Sequence, residues 1–319
     1  MLSLCLALGC SNRTRTMDMY LDAVMLRELG QNELAIEKLK AVTEADPGFA
    51  LAYSELGKAY QATGSNENAV SAFRTVVRLD PWSFDGYMNL AKTCEKLERF
   101  SEAAEAYARA AGLNADSLEA QVGAADCHLK AGQTVRALAH GEAARQIDED
   151  ARAVLLLLGR VYEAQKDYLL AIQAYRHLLA TDAADVEAML ALGVAYMKNG
   201  QFDEAEKVLE LAVRVQPAQA ATYRHLGYCL VNQGQADRAI RAYEKALSID
   251  ANDWQAHRGL GVAYMVKANA TNDASAEAQA LRHWRQALEI NPSQPKREAL
   301  EKLIREHSGT MDPLQGLND

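Results

Sequence analysis

Residues 50–83 read ALAYSELGKAYQATGSNENAVSAFRTVVRLDPWS, and this stretch sets the frame for the whole chain. Tyr53, Leu56 and Tyr60 fall three and four residues apart, the apolar stripe of one helix. Ala69, Phe73 and Val76 make a second stripe. Gly64 stands between them, where a chain leaving a helix often needs a positive φ. Pro81 follows the second stripe, where it stops a helix and starts the next turn. The stretch predicts a helix, a short turn and a second, antiparallel helix. Gly57 and Ala69 have little or no side chain, so the two helices can approach closely while Tyr53, Tyr60 and Phe73 fill the space around them.

Moving outward in both directions, the same pattern returns every 34 residues. Alanine recurs at Ala35, Ala69, Ala103, Ala137, Ala171, Ala205 and Ala239. Twelve positions earlier runs a second small series: Ala23, Gly57, Ala91, Ala125, Gly159, Gly193, Gly227 and Gly261. Units begin near Thr16, Ala50, Phe84, Leu118, Arg152, Val186, Ala220 and Trp254. The sixth carries Met189, Leu192, Gly193, Tyr196, Gly200, Ala205, Leu209, Ala212 and Pro217, and the seventh keeps Tyr223, Leu226, Gly227, Gly234, Ala239, Tyr243 and Ala246. One helical pair cannot bury its own apolar faces, so neighbours must stack into a continuous core.

These residues resemble the tetratricopeptide repeat family over about Thr16 to Gln294. The resemblance implies an all-α fold: a right-handed superhelical α-solenoid of about eight helix-turn-helix repeats (16–49, 50–83, 84–117, 118–151, 152–185, 186–219, 220–253 and 254–294). A capping helix is expected over 295–307, with Ala299, Leu300, Leu303 and Ile304 on its apolar face, followed by a flexible tail over 308–319. The fourth unit departs from the pattern. Gln121, Ala124, His128 and Gly141 replace large apolar residues, which predicts either a tolerated weak repeat or a hinge. The eighth unit needs seven extra residues to bring Ala280, Trp284, Ala287 and Pro292 into line, and the polar stretch Lys267–Ala276 predicts a lengthened loop between its helices.

The chain has 319 residues and a formal net charge of −9, which argues against nucleic acid or an anionic lipid surface as a general partner. The first nine residues are apolar and end Leu6-Ala7-Leu8-Gly9-Cys10-Ser11. This resembles a bacterial lipoprotein signal, in which a small residue precedes the cysteine that becomes lipidated. The resemblance implies a lipid anchor on Cys10, sorting to the outer membrane and a short tether within residues 1–15. The apolar stretch is short and has no basic residues before it, so a start codon placed too late in the gene model is expected. The alternative is an apolar N-terminus on a soluble cytosolic protein.

Nothing in the sequence carries catalytic chemistry. No P-loop, dinucleotide fingerprint, zinc-protease motif or nucleophile elbow occurs, and the seven histidines are scattered. Cys94, Cys127 and Cys229 fall at repeat positions that suit small buried residues, without metal-ligand spacing. No cofactor, metal or small-molecule substrate is expected, and the chain is not expected to be an enzyme.

In this family the first helix of each pair lines a concave groove. The groove-facing positions of this chain fall into three zones. The second and third units offer Glu55, Lys58, Gln61, Asn89 and Lys92. The fifth and sixth offer an apolar strip of Leu156, Leu157, Leu190, Val194 and Met197. The seventh and eighth offer Arg224, His225, Tyr228, Asn232 and Arg258, where Arg forks suit a carboxylate and Tyr suits a peptide backbone. The Lys/Asn clamp of chaperone-tail-binding relatives is missing: the second unit has Ser54 and Lys58, the third Met88 and Lys92. The chain is thus expected to be an interaction scaffold for protein or peptide partners, held by lipid in a bacterial envelope facing the periplasm. A soluble cytosolic adaptor and a non-catalytic subunit of an enzyme complex are the alternatives.

Overall fold

A computed structural model describes residues 2–308 of the chain, with side chains from Thr14 onward. Lipidation at Cys10 falls outside the described side chains, and the tail beyond Ser308 lies outside the described residues. Among the described residues there are seventeen α-helices and no strand.

The chain divides into two compact units. The first, Met1–Gln165, holds four helical pairs: α1 (Leu2–Glu28) and α2 (Asn32–Ala45), α3 (Ala50–Ala62) and α4 (Asn66–Leu79), α5 (Phe84–Lys96) and α6 (Phe100–Leu113), α7 (Leu118–Lys130) and α8 (Thr134–Ile147). It closes with α9 (Arg152–Ala164). The second, Lys166–Asp319, opens with α10 (Tyr168–Thr181). Three pairs follow: α11 (Val186–Lys198) and α12 (Phe202–Val215), α13 (Ala220–Asn232) and α14 (Ala236–Ile249), α15 (Trp254–Thr271) and α16 (Ala274–Ile290). The single helix α17 (Arg297–His307) ends it. Within each unit every helix packs on the next in sequence, and α1 also touches α3, α7 touches α9, and α13 touches both α11 and α15.

The turns explain the sharp reversals. Gly30, Gly64, Gly132, Gly200 and Gly234 all have φ between 74° and 77°. At the same step Glu98 and Lys166 adopt φ 57° and 64°, a conformation costly for residues with a Cβ. The left-handed residue lets the next amide reach back to the helix it leaves: Ser65 N donates to Tyr60 O at 2.8 Å and Gln235 N to Leu230 O at 2.9 Å. This is the Schellman pattern that satisfies orphan carbonyls.

Packing follows the small series. A Cβ on Gly57 would lie 2.6 Å from the Phe73 ring, and one on Gly227 2.8 Å from the Tyr243 ring. Each glycine lies in the first helix of its pair, and the aromatic ring from the second helix lies flush against it. In the fourth repeat the large partner is missing, because Ala125 faces the position of Gly141. Leu158 of α9 fills the space, 2.8 Å from where a Gly141 Cβ would be. The polar residues of this repeat satisfy one another. His140 Nδ1 lies 2.8 Å from Gln121 Oε1, His128 Nδ1 lies 2.6 Å from Gln133 Oε1, and the two imidazoles stack at 5.5 Å. His128 is 1% exposed, so these departures form a buried polar cluster rather than a loose contact. Cys94, Cys127 and Cys229 are buried, and burial pushes their thiols up to about 11, 12 and 12.

Two expectations are corrected in the last pair. The seven extra residues do not lengthen its loop. They lengthen the helices: α15 has 18 residues against 13 in α13, and α16 has 17 against 14 in α14. The turn shrinks to Asn272, in the left-handed region, and Asp273, whose carboxylate caps α16 through Ser275 N at 2.9 Å. Alanine-rich sequence favours helix, and one Asn-Asp pair suffices to reverse it. The capping helix α17 buries Leu300 and half-buries Ile304 against Met265, Ala280 and Trp284, but Leu303 is 40% exposed and Ala299 faces solvent. The covering face is narrower than the sequence predicts.

Candidate functional site

The five groove residues expected from the seventh and eighth units line one pocket of about 360 Å³ in the second unit. Their helix spacing explains this. Arg224, Tyr228 and Asn232 are four residues apart on α13, hence on one face, and Arg258 comes from the neighbouring α15. Tyr228 is 50% exposed at the mouth and Val262 stands 40% exposed across from it on α15. Val231, Tyr243, Gln255 and Gly259 complete the lining. Burial, and then the charge of Arg224, lower His225 to about 4, so its imidazole is neutral.

The two guanidinium groups are not equally available. Arg224 is ion-paired with Asp253, whose side chain is 5% exposed and also caps α15 by accepting from Gln255 N and Ala256 N, both at 3.0 Å. Arg224 thus already holds one carboxylate from the next repeat, that of Asp253, through Nη1. Arg258 donates from Nη1 to the Pro295 carbonyl at 3.2 Å and lies over the Trp254 ring at 5.7 Å, with no carboxylate partner among the described residues. Asn232 Nδ2 donates to Tyr228 O at 2.8 Å, which steadies the wall of the pocket.

The other two expected zones differ. Lys58 pairs with Glu55 at 2.8 Å, Glu55 also takes Arg27, and Lys92 pairs with Glu119 at 2.7 Å. Gln61 Nε2 donates to Thr93 Oγ1 at 2.7 Å, and Asn89 O accepts from the same hydroxyl at 2.6 Å. This polar zone is held by bonds within its helices and between neighbouring repeats. Leu156 and Leu157 are 5% and 0% exposed, so they belong to the core and not to an open strip. The run Val154–Leu158 is apolar on all sides of its helix, which is the signature of a buried helix rather than a wall. Leu190, Val194 and Met197 are half-buried, and Leu190 and Met197 pack on the core that contains Leu226 and Leu230.

Val231, Tyr243, Gln255, Gly259 and Val262 line the pocket without being assigned to the groove by the sequence, and Asp253 holds Arg224 beside it. Asp253 carries a readable signal: it is a helix-capping acid placed one step of the repeat from Gln219, next to an Arg-bearing helix.

Elsewhere in the second unit His257 Nδ1 and His283 Nδ1 lie 3.1 Å apart, and the Tyr264 ring stacks on His283 at 5.8 Å. Among the described residues no group of three or more His, Cys, Asp or Glu side chains is placed to hold a metal ion, and no helix is long and apolar enough to cross a membrane.

Family models described as tetratricopeptide repeat match residues 88–152, 156–223, 190–253 and 226–295, and further repeat models match 24–64 and 50–81. A tetratricopeptide repeat protein from Parabacteroides merdae superimposes with a TM-score of 0.54 at 16% identity, over 78% of this chain and 98% of that one. The Cut9-Hcn1 hetero-tetramer of the APC/C gives a TM-score of 0.57 at 19% identity, over 86% of this chain and 52% of that one. At these identities the likeness is one of fold. No curated protein matches the sequence.

Proposed function

The chain belongs to the tetratricopeptide repeat family, and from that premise we propose that it is a non-catalytic scaffold that binds a partner peptide in the pocket between α13 and α15. One observation carries this reading: five groove-phase residues from two successive repeats converge on a single cavity of about 360 Å³. That is the size range of sites that take a few side chains of a ligand. An exposed aromatic wall at Tyr228, the apolar Val262 and a cation at Arg258 supply the mixture that peptide recognition uses.

Cross-linked capture from native membranes tests it, comparing wild type with the double variant Tyr228→Ala, Val262→Asp. Both side chains are exposed, so folding is preserved. A partner present with wild type and lost with the variant is the expected result. A partner retained by the variant places the binding surface elsewhere.

The proposal extends to location. Gly9-Cys10-Ser11 after an apolar stretch supports a lipid anchor on Cys10 in a bacterial envelope, with the repeats on the periplasmic side. A longer natural form is expected to incorporate fatty acid and to lose it on Cys10→Ala. Absence of label in that form favours the soluble adaptor.

A further inference from the structure

The floor of the pocket holds a hydroxyl that the protein itself leaves unused. Tyr243 is 3% exposed, and its ring packs against Gly227 on one side and Gly259 on the other. A Cβ on Gly259 would come within 2.6 Å of Tyr243 Oη, so only a glycine there leaves the hydroxyl open to the pocket it lines. No hydrogen bond joins this hydroxyl to any described residue, and while the ring is buried the hydroxyl itself is not closed off, so it opens onto the pocket as a donor free for a ligand.

The chain contains its own control. Tyr107 occupies the same repeat position in the first unit, and Gly123 lies against its ring as Gly259 lies against Tyr243. The Tyr107 hydroxyl donates to Glu95 Oε2 at 3.2 Å. The residue that corresponds to Glu95, twelve positions before the tyrosine, is Val231. The seventh repeat thus keeps the donor and has lost the carboxylate that receives it.

Electrostatics select the missing acceptor. Arg224 and Arg258 both act on the Tyr243 phenol, against a larger effect of burial that keeps it protonated and a donor. Asp253 neutralises Arg224, His225 is uncharged, and Arg258 retains an uncompensated positive charge. An anion with hydrogen-bond-accepting oxygens fits this field better than a neutral acceptor.

We propose that the Tyr243 hydroxyl, together with Arg258, is the receptor for a carboxylate of the bound peptide, taking the place that Glu95 fills for Tyr107. This rests on the peptide-binding reading of the pocket and adds the chemical group that the pocket selects. A side-chain carboxylate and a C-terminal carboxylate present the same two oxygens.

The test uses three small probes on the full chain: N-acetyl-phenylalanine, N-acetyl-glutamic acid α-amide and N-acetyl-phenylalanine amide. Binding is followed by NMR shifts of Tyr228, Arg258 and Gly259. The carboxylate probes are expected to bind and the neutral amide to bind at least about tenfold more weakly. Whichever carboxylate probe binds more tightly identifies the source. Tyr243→Phe removes only the hydroxyl, so the melting temperature should hold while carboxylate binding weakens about tenfold. Val231→Glu places an internal acceptor beside the hydroxyl and should abolish carboxylate binding while raising the melting temperature. Equal binding of acid and amide, or unchanged carboxylate binding by both variants, overturns the proposal. In either case a partner lost on Tyr228→Ala, Val262→Asp still upholds the groove, so the two failures are distinguishable.

Discussion

Arg224 donates a guanidinium hydrogen to one carboxylate oxygen of Asp253, and the other oxygen of that carboxylate caps the first turn of α15. One buried acid therefore ties two successive repeats together and starts a helix. Arg224, on the groove face of α13, is anchored by the neighbouring repeat.

Asp253→Ala should destabilise the second unit by about 2 kcal/mol, since it removes the cap and strands a half-buried guanidinium. Asp253→Ser keeps a hydroxyl for the Gln255 and Ala256 amides and should recover about 1 kcal/mol of that loss. Denaturant unfolding checks the ranking. Equal loss in both variants means that the cap contributes nothing.

The same substitution should have opposite signs at two glycines of the first unit. Gly57→Ala drives a methyl to within 2.6 Å of the Phe73 ring and should cost about 1–3 kcal/mol. Gly112→Ala, in α6, meets nothing within 4 Å and should stabilise by about 0.5 kcal/mol through helix propensity. Thermal unfolding of the two variants side by side measures the difference.

Glu98 and Lys166 occupy the left-handed turn position that glycine fills in five other repeats. Glu98→Gly and Lys166→Gly should each stabilise by roughly 0.5–1 kcal/mol, the relief of the Cβ contact less the flexibility glycine adds to the unfolded chain. A fall in midpoint denaturant concentration for either variant contradicts this.

Acid should weaken the second unit through two histidines. Burial lowers His225 and His283 to about 4, with the Arg224 charge and the His257 charge respectively as the next causes. The unfolded chain then binds more protons than the folded one between about pH 6.5 and 4. Stability from these groups is complete above pH 6.5 and declines as pH falls towards 4. Each group is part-exposed, so the combined loss is on the order of 1–3 kcal/mol. The double variant His225→Gln, His283→Asn should flatten the pH profile of unfolding in that window.

The helical pairs were readable because a small residue facing a large one leaves a mark at a fixed step, as Gly57 and Phe73 show. The five residues around the pocket were readable for the same reason: helix phase alone brings Arg224, Tyr228 and Asn232 to one face. What was not readable depended on neighbours in space. Leu156 and Leu157 share the phase of groove residues yet are buried, because their helix is apolar all round. The state of Tyr243 follows from the Tyr107–Glu95 bond between two helices, which no sequence spacing gives. The helix extension at Lys267–Ala276 is masked by its polar residues, although its alanines carry the helix propensity that decides it.

The longer last pair has a mechanical consequence. Both extensions lie at the turn end of the hairpin, because α15 starts on the common step and gains its residues at its C-terminus while α16 gains them at its N-terminus. Five added residues at 1.5 Å each lift this tip about 7 Å above the tip of the α13–α14 hairpin beside it. A flat object laid along the row of turns in the second unit would therefore rest on Asn272 and Asp273 as on a doorstop, tilted away from its neighbours.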